Sequence, residues 1–468
     1  MTPGEFRKWS VRAAEWGVDY RSGLRERPVR AQTAPGEIAA QIPDAPPEAA
    51  EAMETIFADF EKIILPGMTH WQHPRFFAYF PANAAPASVV AEHLVNAMAT
   101  QCMLWQTSPA ATELETRVLD WLRQAVGLPD GYSGVIQDSA SSATLAAILT
   151  MRERALDWSG NTKGLAAHRQ VRIYGSGDAH TSVDRAIWIA GIGEENFVRI
   201  PVRGRRRAMD LAVLEEAIRA DRAAGLLPAG IVACVGATAV GSTDDVAGIC
   251  GIAERHNLYV HVDAAWAGSA MLCPEFRDLW AGAERANSVV LNPHKWLGAQ
   301  FDCSAHFLRE PENLVRTLAI RPSYLDTHGR YGILNYSEWS VPLGRRFRAL
   351  KLWFLIRAYG LEGLRAMIRN HVGWSQRLAE HLRAEPGFEI VSEPILSLFS
   401  FRYLCDGENP DETNRRLLAA INDDGRIYVT QTLLDGKFVI RFQVGQFECD
   451  EADIGTAFDV ITELARAL

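Results

Sequence analysis

Ser288-Val-Val-Leu-Asn-Pro-His-Lys-Trp-Leu297 is the stretch on which the fold turns. Ser288–Leu291 is short, apolar and β-branched, which predicts the end of a strand buried in a parallel sheet. Asn292-Pro293 breaks the strand and presents His294 and Lys295 at its carboxyl end. The chain holds six lysines against forty-two arginines, so a lysine at the edge of a core strand is an unusual choice. An arginine would serve as a plain counter-charge, whereas lysine can also lose its proton and form an imine when its pKa is lowered. A snorkelling lysine beside a satisfied core histidine is the competing reading of these residues taken alone.

A second apolar strand, Leu258-Tyr-Val-His-Val-Asp263, ends in a carboxylate and runs into the small residues Ala264 to Gly268. An acid at one strand end near a lysine at another suits pyridoxal phosphate. The lysine holds the aldehyde as a Schiff base, and the acid pairs with the pyridinium nitrogen so that the ring stays an electron sink. Asp263 as a helix cap is the plain alternative.

Outward from this pair, helices alternate with short apolar strands from about residue 86. The strands are expected at Gly134–Gln137, Val171–Tyr174, Ile231–Val235, Leu258–Val262 and Ser288–Leu291, a pattern of βαβ units and a mainly parallel α/β sheet. No G-x-G-x-x-G follows any of them, which argues against a dinucleotide fold. Asp138-Ser-Ala-Ser-Ser-Ala-Thr144 lies between a strand and the helix Leu145–Met151. Small hydroxylated residues there offer N–H and O–H donors to a phosphate, or serve only for capping and close packing. Long helices are expected over Phe347–Tyr359 and from Leu361, then strands at Phe388–Val391 and Phe438–Phe442. The organisation expected is a helical N-terminal dimerisation segment (1–85), a large cofactor-binding α/β domain (86–345) and a small α+β domain (346–468).

Near the start, Phe6, Trp9, Ala13, Trp16 and Tyr20 form one stripe of an amphipathic helix, facing the chain's own core or a partner subunit. A second helix is expected at about Pro47–Ile64, and the aromatic block Trp71–Phe80 is either pocket or core. Arg321–Gly332 is polar and rich in turn formers, which reads as a mobile catalytic loop.

The 468 residues, 48% hydrophobic and 22% charged, predict a large soluble globular protein, and a net charge of −9 argues against a nucleic-acid surface. Arg203-Gly-Arg-Arg-Arg207 reads as a solvated loop before a helix near Asp210. Seven cysteines without a C-x-x-C pair suggest reduced thiols in a cytoplasmic protein, and the N-terminus carries no visible export signal. Ala223–Ser242 is uncharged enough to be mistaken for a membrane span, but Pro228 and its glycines divide it around a core strand.

HVDAAWAG (261–268) and NPHKWLG (292–298) occur with THWQHP (69–74), FFAYFP (76–81), SPAATELE (108–115), DAHTSVDRA (178–186), CPEFR (273–277) and PLGRRFRALKLWF (342–354). Together they resemble the group II pyridoxal-phosphate decarboxylases, specifically aromatic L-amino acid decarboxylases of bacterial type, from about Phe6 to the last helix. The resemblance implies a fold-type I architecture like the pyridoxal-phosphate transferases. It also implies a homodimer with a shared active site, residues around Gln101 and Met103 reaching across.

By the same resemblance Lys295 is the Schiff-base lysine, Asp263 the partner of the ring nitrogen and His180 the ring that stacks on the cofactor. Thr238 matches a residue near the ring hydroxyl and the substrate carboxylate. Ser139, Ala140, Ser141, Asn292 and His294 surround the phosphate. Tyr324 matches the proton donor to the α-carbon, and Arg441 an arginine that supports the site through Asp263. Asp138 departs from the family's Gly or Thr and is expected to point away from the phosphate or act through water.

The side-chain pocket implied comprises Trp71, Tyr79, Phe80, Ala82, Gln101, Met103, Trp266 and Gly344. With no basic clamp among these blocks, an aromatic L-amino acid is the expected substrate, tryptophan-like ahead of phenylalanine, tyrosine and dihydroxyphenylalanine, giving carbon dioxide and the arylalkylamine. The rival is an aromatic aldehyde synthase; such relatives usually lose the loop tyrosine or the stacking histidine, and this chain keeps both. A non-aromatic group II decarboxylase stands further back, as does a phosphate-ligand binder without catalysis. No metal is expected.

Overall fold

A strand buried on both faces needs a neighbour on each edge, and Ser288–Leu291 has them. The computed structural model describes residues 1–320 and 333–468, so the expected loop Arg321–Gly332, and Tyr324 with it, lies outside the described residues. The described chain divides into two compact units, Ala82–Asn370 and Met1–Pro81 with His371–Leu468.

In the first unit the strands are β1 (Ser133–Gln137), β2 (Val171–Ser176), β3 (Phe197–Ile200), the short ribbon β4 (Val202–Arg203) and β5 (Ala208–Met209), β6 (Leu227–Cys234), β7 (Tyr259–Asp263), β8 (Ser288–Leu291) and β9 (Ser304–Leu308). Among the described residues, seven of them form one sheet in the order β1-β9-β8-β7-β6-β2-β3. β3, β2, β6, β7 and β8 run parallel, while β9 is antiparallel to both β8 and β1. β1 therefore points the same way as β8, and the carboxyl ends of β1, β2, β6, β7 and β8 share one edge. All five expected strands are present. β3 and β9 are additions: runs of four and five residues with a charge or a histidine in them carry too little pattern to stand out from coil. The stretch Ala223–Ser242 contains β6, and among the described residues no helix is long and apolar enough to cross a membrane.

Helices Ala140–Ala155 and Thr181–Ile189 cover the sheet with Ala147, Ile148, Met151, Val183 and Ile187, packed on Ile173 and Val232. Each such aliphatic side chain taken from water contributes about 1.5–3 kcal/mol. One ion pair is sealed inside this unit. Arg345 meets Glu115 at 2.6 and 3.1 Å with both side chains 3% exposed. Arg345 also donates to the Ile136 carbonyl at 2.6 Å, and Glu115 accepts from the Ile136 N–H at 2.9 Å. Two desolvated charges persist only when their remaining hydrogen-bonding capacity is met, as it is here. The pair ties β1 to helix Pro109–Val126 and to the segment after Gly344.

The second unit carries β10 (Phe388–Ile395), β11 (Leu398–Tyr403), β12 (Thr430–Leu434) and β13 (Lys437–Gln443), antiparallel in the order β10-β11-β13-β12. β12 and β13 turn at Asp435-Gly436, φ 50° and 80°, the left-handed pair that a two-residue hairpin requires.

The two compact units are bounded at Pro81 and Asn370, where the expected boundaries stood at 85 and 345. Residues 1–81 cluster with the C-terminal segment: Phe76 bridges to Tyr428, and Phe77 stacks on Phe442 at 4.3 Å inside one core. Pairing across some 350 positions leaves no trace in local pattern. The later boundary falls at Asn370, within helix Arg348–Ala384, which breaks at Gly360 (φ 62°) where the two expected helices meet. The second N-terminal helix begins at Met53, six residues after Pro47. The aromatic stripe packs on that helix: Trp9 against Phe57 at 5.6 Å and Trp16 against Phe60 at 4.9 Å, with Tyr20 Oη 2.9 Å from His70 Nδ1. All seven cysteines are free thiols.

Candidate active site

The shared strand edge collects the groups expected to do chemistry. Asp263 closes β7 and is buried; its Oδ1 accepts the Ala265 N–H at 3.0 Å, and its carbonyl accepts the Val235 N–H at 2.9 Å. Four residues beyond β8, Lys295 sits in a single helical turn, Pro293–Leu297, ended by Gly298 at φ 103°. Asn83, 0% exposed, grips that turn from outside. Its N–H donates to the His294 carbonyl at 2.8 Å and its side-chain amide to the Lys295 carbonyl at 2.5 Å.

His294 Nδ1 accepts the Cys303 N–H at 2.8 Å, so its neutral ring carries the proton on Nε2. Burial, and next the charge of Lys295, push its pKa down to about 3. Asn292 accepts the Ser304 hydroxyl at 2.6 Å and donates its N–H to the Ala265 carbonyl at 2.9 Å, lacing the loop after β8 to the turn after β7.

Helix Ala140–Ala155 begins at the end of β1, and Ala140 and Ala143 pack against Val290 and Ala265. Its N-terminus therefore stands beside Asp263 and the end of β8. Ser139 caps it, accepting the Ser142 N–H at 3.3 Å, and its hydroxyl donates to Asp138 Oδ1 at 3.0 Å. Asp138 is thus engaged by its neighbour's hydroxyl. His180 caps Thr181–Ile189 with Nδ1, which accepts the Ser182 N–H at 3.1 Å and leaves Nε2 for the ring proton; the residue is exposed. Although water reaches its ring, the protein packed around it is the first cause lowering its pKa; the Asp263 carboxylate raises it and Lys295 lowers it again, so both charges lie within Coulombic reach of His180. Thr238 rides on the loop after β6, where the Ser242 carbonyl accepts N–H groups from Gly236 at 3.0 Å and Ala237 at 2.9 Å.

Of the expected pocket residues in this unit, Gln101 and Gly344 adjoin. Gln101 Oε1 accepts the Arg345 N–H at 2.7 Å, and a β-carbon on Gly344 would stand 3.1 Å from Gln101 Nε2. Met103 and Ala82 are half-buried. Trp266 is 1% exposed and stacked on Trp296 at 5.1 Å. In the other unit Trp71 and Tyr79 are exposed and stacked at 5.9 Å, and Phe80 lies under the buried Arg441 guanidinium at 5.2 Å. Arg441 donates to the Tyr79 carbonyl and Thr430 Oγ1 at 3.3 and 3.2 Å, bonds that hold the aromatic block. Asn83, Cys303 and Ser304 were not singled out from sequence; an asparagine in a Pro-Ala-Asn-Ala-Ala run gives no local sign of a partner two hundred residues away.

These residues fit pyridoxal phosphate. A buried carboxylate suits the ring nitrogen, a lysine on a fixed turn the aldehyde, an exposed imidazole of fixed orientation the ring face, and a capped helix start with Ser141 exposed the phosphate. Fold and site together define a fold-type I pyridoxal-phosphate enzyme. Residues 35–404 match the pyridoxal-dependent decarboxylase conserved domain, and the chain belongs to that family, a pyridoxal-phosphate-dependent carboxy-lyase.

It is 39% identical over its whole length to 99% of the aromatic-L-amino-acid decarboxylase of Rattus norvegicus. The Catharanthus roseus tryptophan decarboxylase solved with L-tryptophan superposes with a TM-score of 0.94 at 35% identity, covering 100% of this chain and 99% of that one. The Rhodiola rosea 4-hydroxyphenylacetaldehyde synthase superposes with 0.93 at 31% identity, with coverage of 100% and 99%. These come from a mammal and two plants, and none bears on the bacterial type expected above.

The neutral histidines set an acid limit. His294 and His306 titrate near 3 and His261 well below its usual range, burial being the first cause for each. Unfolded, each takes up a proton near pH 6.5, so the unfolded state binds more protons as pH falls and the folded state loses ground from there down toward pH 3. Each histidine acts in the same direction, with a slope of at most about 1.4 kcal/mol per pH unit below pH 6.5. Urea midpoints at pH 7.5 and 5.0 should differ accordingly; equal midpoints would mean these histidines are charged in the fold.

Proposed function

We propose that the protein decarboxylates an aromatic L-amino acid, tryptophan-like side chains favoured, to the arylalkylamine and carbon dioxide. The observation that carries this is the meeting of Asp263, Lys295 and His180 at one sheet edge. Full-length similarity to proteins named for aromatic amino acid decarboxylation supports it. When bound, pyridoxal phosphate supplies the electron sink that takes up the charge left on the α-carbon as the bond to the carboxylate breaks.

The chain's own residues do the rest. Lys295 Nζ is the covalent anchor. The Asp263 carboxylate holds a proton at the ring nitrogen, and His180 presents its ring face and Nε2–H. Thr238 sits on the loop assigned to the substrate carboxylate. Ser139, Ala140 and Ser141 at the helix start, with Asn292 and His294, hold the phosphate. Tyr324 Oη delivers the proton to the α-carbon. Gly344 keeps the corner beside Gln101 open, which suits a wide ring. Seven free thiols suit the reducing cytoplasm, where we place the protein.

Borohydride reduction followed by peptide mapping should label Lys295, and a panel of aromatic amino acids should give amine and carbon dioxide, fastest with tryptophan. Label on another lysine removes the anchor assignment; turnover of only non-aromatic substrates removes the substrate class.

We further propose a homodimer that completes the active site. Val90, Leu94 and Met98 recur every fourth residue on helix Pro86–Met98, each about half exposed, directly before Gln101 and Met103. Such a stripe on a finished fold calls for a cover. Sedimentation should find dimers, and Leu94→Glu should give monomers with little activity; a fully active monomer refutes the proposal.

The second reading, an aldehyde synthase, is favoured by the similarity to the Rhodiola rosea protein. An aldehyde synthase consumes oxygen and water and releases aldehyde, carbon dioxide, ammonia and hydrogen peroxide. Protonation of the α-carbon competes with attack by oxygen, and general-acid delivery typically contributes 10²–10⁴-fold, about 3–5 kcal/mol of barrier. Tyr324→Phe removes only a hydroxyl. The wild-type protein is expected to make amine with little peroxide, and the variant mainly aldehyde, ammonia and peroxide in air. Amine production by Tyr324→Phe at the wild-type rate would exclude Tyr324 as the donor.

A further inference from the structure

The basic run Arg203–Arg207, expected to be a solvated loop, is one only in part. Arg203 to Arg206 are exposed on the turn of the β4–β5 ribbon, but Arg207 is half-buried and its backbone is left-handed, φ 49°. Its guanidinium leaves the run and reaches Asp178: Nε lies 2.7 Å from Oδ2 and Nη2 3.1 Å from Oδ1. The Ser242 hydroxyl donates to the same Oδ2 at 2.5 Å, and the Thr243 N–H donates to the Arg206 carbonyl at 2.9 Å. The Arg207 and Asp178 side chains are 24% and 15% exposed. A bidentate, shielded, charge-assisted pair of this kind is among the stronger polar contacts, unlike an open surface ion pair. Burial pushes the Asp178 carboxyl up, but the hydrogen bonds from Arg207 and Ser242 outweigh it and leave it below the ordinary range.

Asp178 and Ser242 are not arbitrary anchor points. Asp178 is two residues before His180, in a turn fixed by its own N–H donating to Ser176 Oγ at 2.9 Å. Ser242 closes the loop that bears Thr238, through its carbonyl. Below them Asp244, fully buried, accepts the Met209 N–H at 2.7 Å and the Cys234 N–H at 2.8 Å, holding β5 against the end of β6. One carboxylate thus joins the turn after β2, the β4–β5 turn and the loop after β6.

We propose that Arg207 is a positioning residue. Through Asp178 it sets the turn carrying His180 against the loop carrying Thr238, and so fixes how the cofactor ring is held. The proposal rests on the assignment of His180 and Thr238 to the cofactor site.

The test compares Arg207→Ala, Arg207→Lys, Arg206→Ala and His180→Ala with the wild-type chain. The readouts are the pyridoxal phosphate dissociation constant, the circular dichroism induced in the bound cofactor's visible band, and the thermal midpoint of the apoprotein. Arg206→Ala removes the same charge from the same turn and should behave as wild type. Arg207→Ala should bind the cofactor roughly tenfold more weakly, as loss of a charged hydrogen-bonding pair predicts, with a smaller induced signal. Arg207→Lys should restore part of the signal, since it returns the charge without the planar fork. Affinity and dichroism for Arg207→Ala equal to those of Arg206→Ala overturn the proposal. If Arg207→Ala does not fold, Asp178→Asn replaces it, with a reduced signal expected and an unchanged one overturning the idea. An unchanged signal in His180→Ala removes the underlying assignment, and the clamp's role with it, whatever Arg207→Ala does.

Discussion

The candidate site depends on strands that stop together. β6, β7 and β8 are buried on both faces, and a one-residue slip would exchange their two faces. Their register pairs Cys234 with Asp263 and Asp263 with Val290, so Asp263 reaches the edge where β8 gives way to the turn of Lys295. Two opposite charges are then brought to one partly desolvated edge. Both act on His180.

The residues assigned to chemistry are held mostly by others. Asn83 grips the carbonyls on either side of the His294–Lys295 junction, Cys303 sets the His294 tautomer, Ser304 occupies Asn292, and Ser182 orients His180. Most of these are backbone groups or short hydroxylated side chains with little entropy to lose. A site built this way keeps its geometry because its supports are rigid. The sealed Arg345–Glu115 pair does the same at larger scale, joining β1, from which helix Ala140–Ala155 starts, to the strip carrying Gly344.

The aromatic content of the chain divides between surface and core. Trp266 is core, stacked on Trp296, although it stands three residues beyond Asp263 in a motif full of chemistry. Trp71 and Tyr79 are exposed instead, their segment held by the buried Arg441, whose pKa burial lowers to about 10. A β-carbon on Gly344 would stand 3.1 Å from Gln101 Nε2, so any side chain there would press on Gln101.

The amino-acid sequence by itself determined five of the seven strands of the large sheet, the acid at the end of one and the lysine after another. Burial on both faces demands unbroken β-branched runs, and charged groups that cannot enter them mark where they stop. Tertiary structure alone decided that residues 1–81 share a core with the C-terminal segment, that Trp266 turns inward, that Asn83 seats Lys295, and that Arg207 leaves a basic run to hold Asp178. Local pattern records whether a residue prefers water or the interior, and with what period. Which buried group meets which is set by packing between segments tens to hundreds of positions apart.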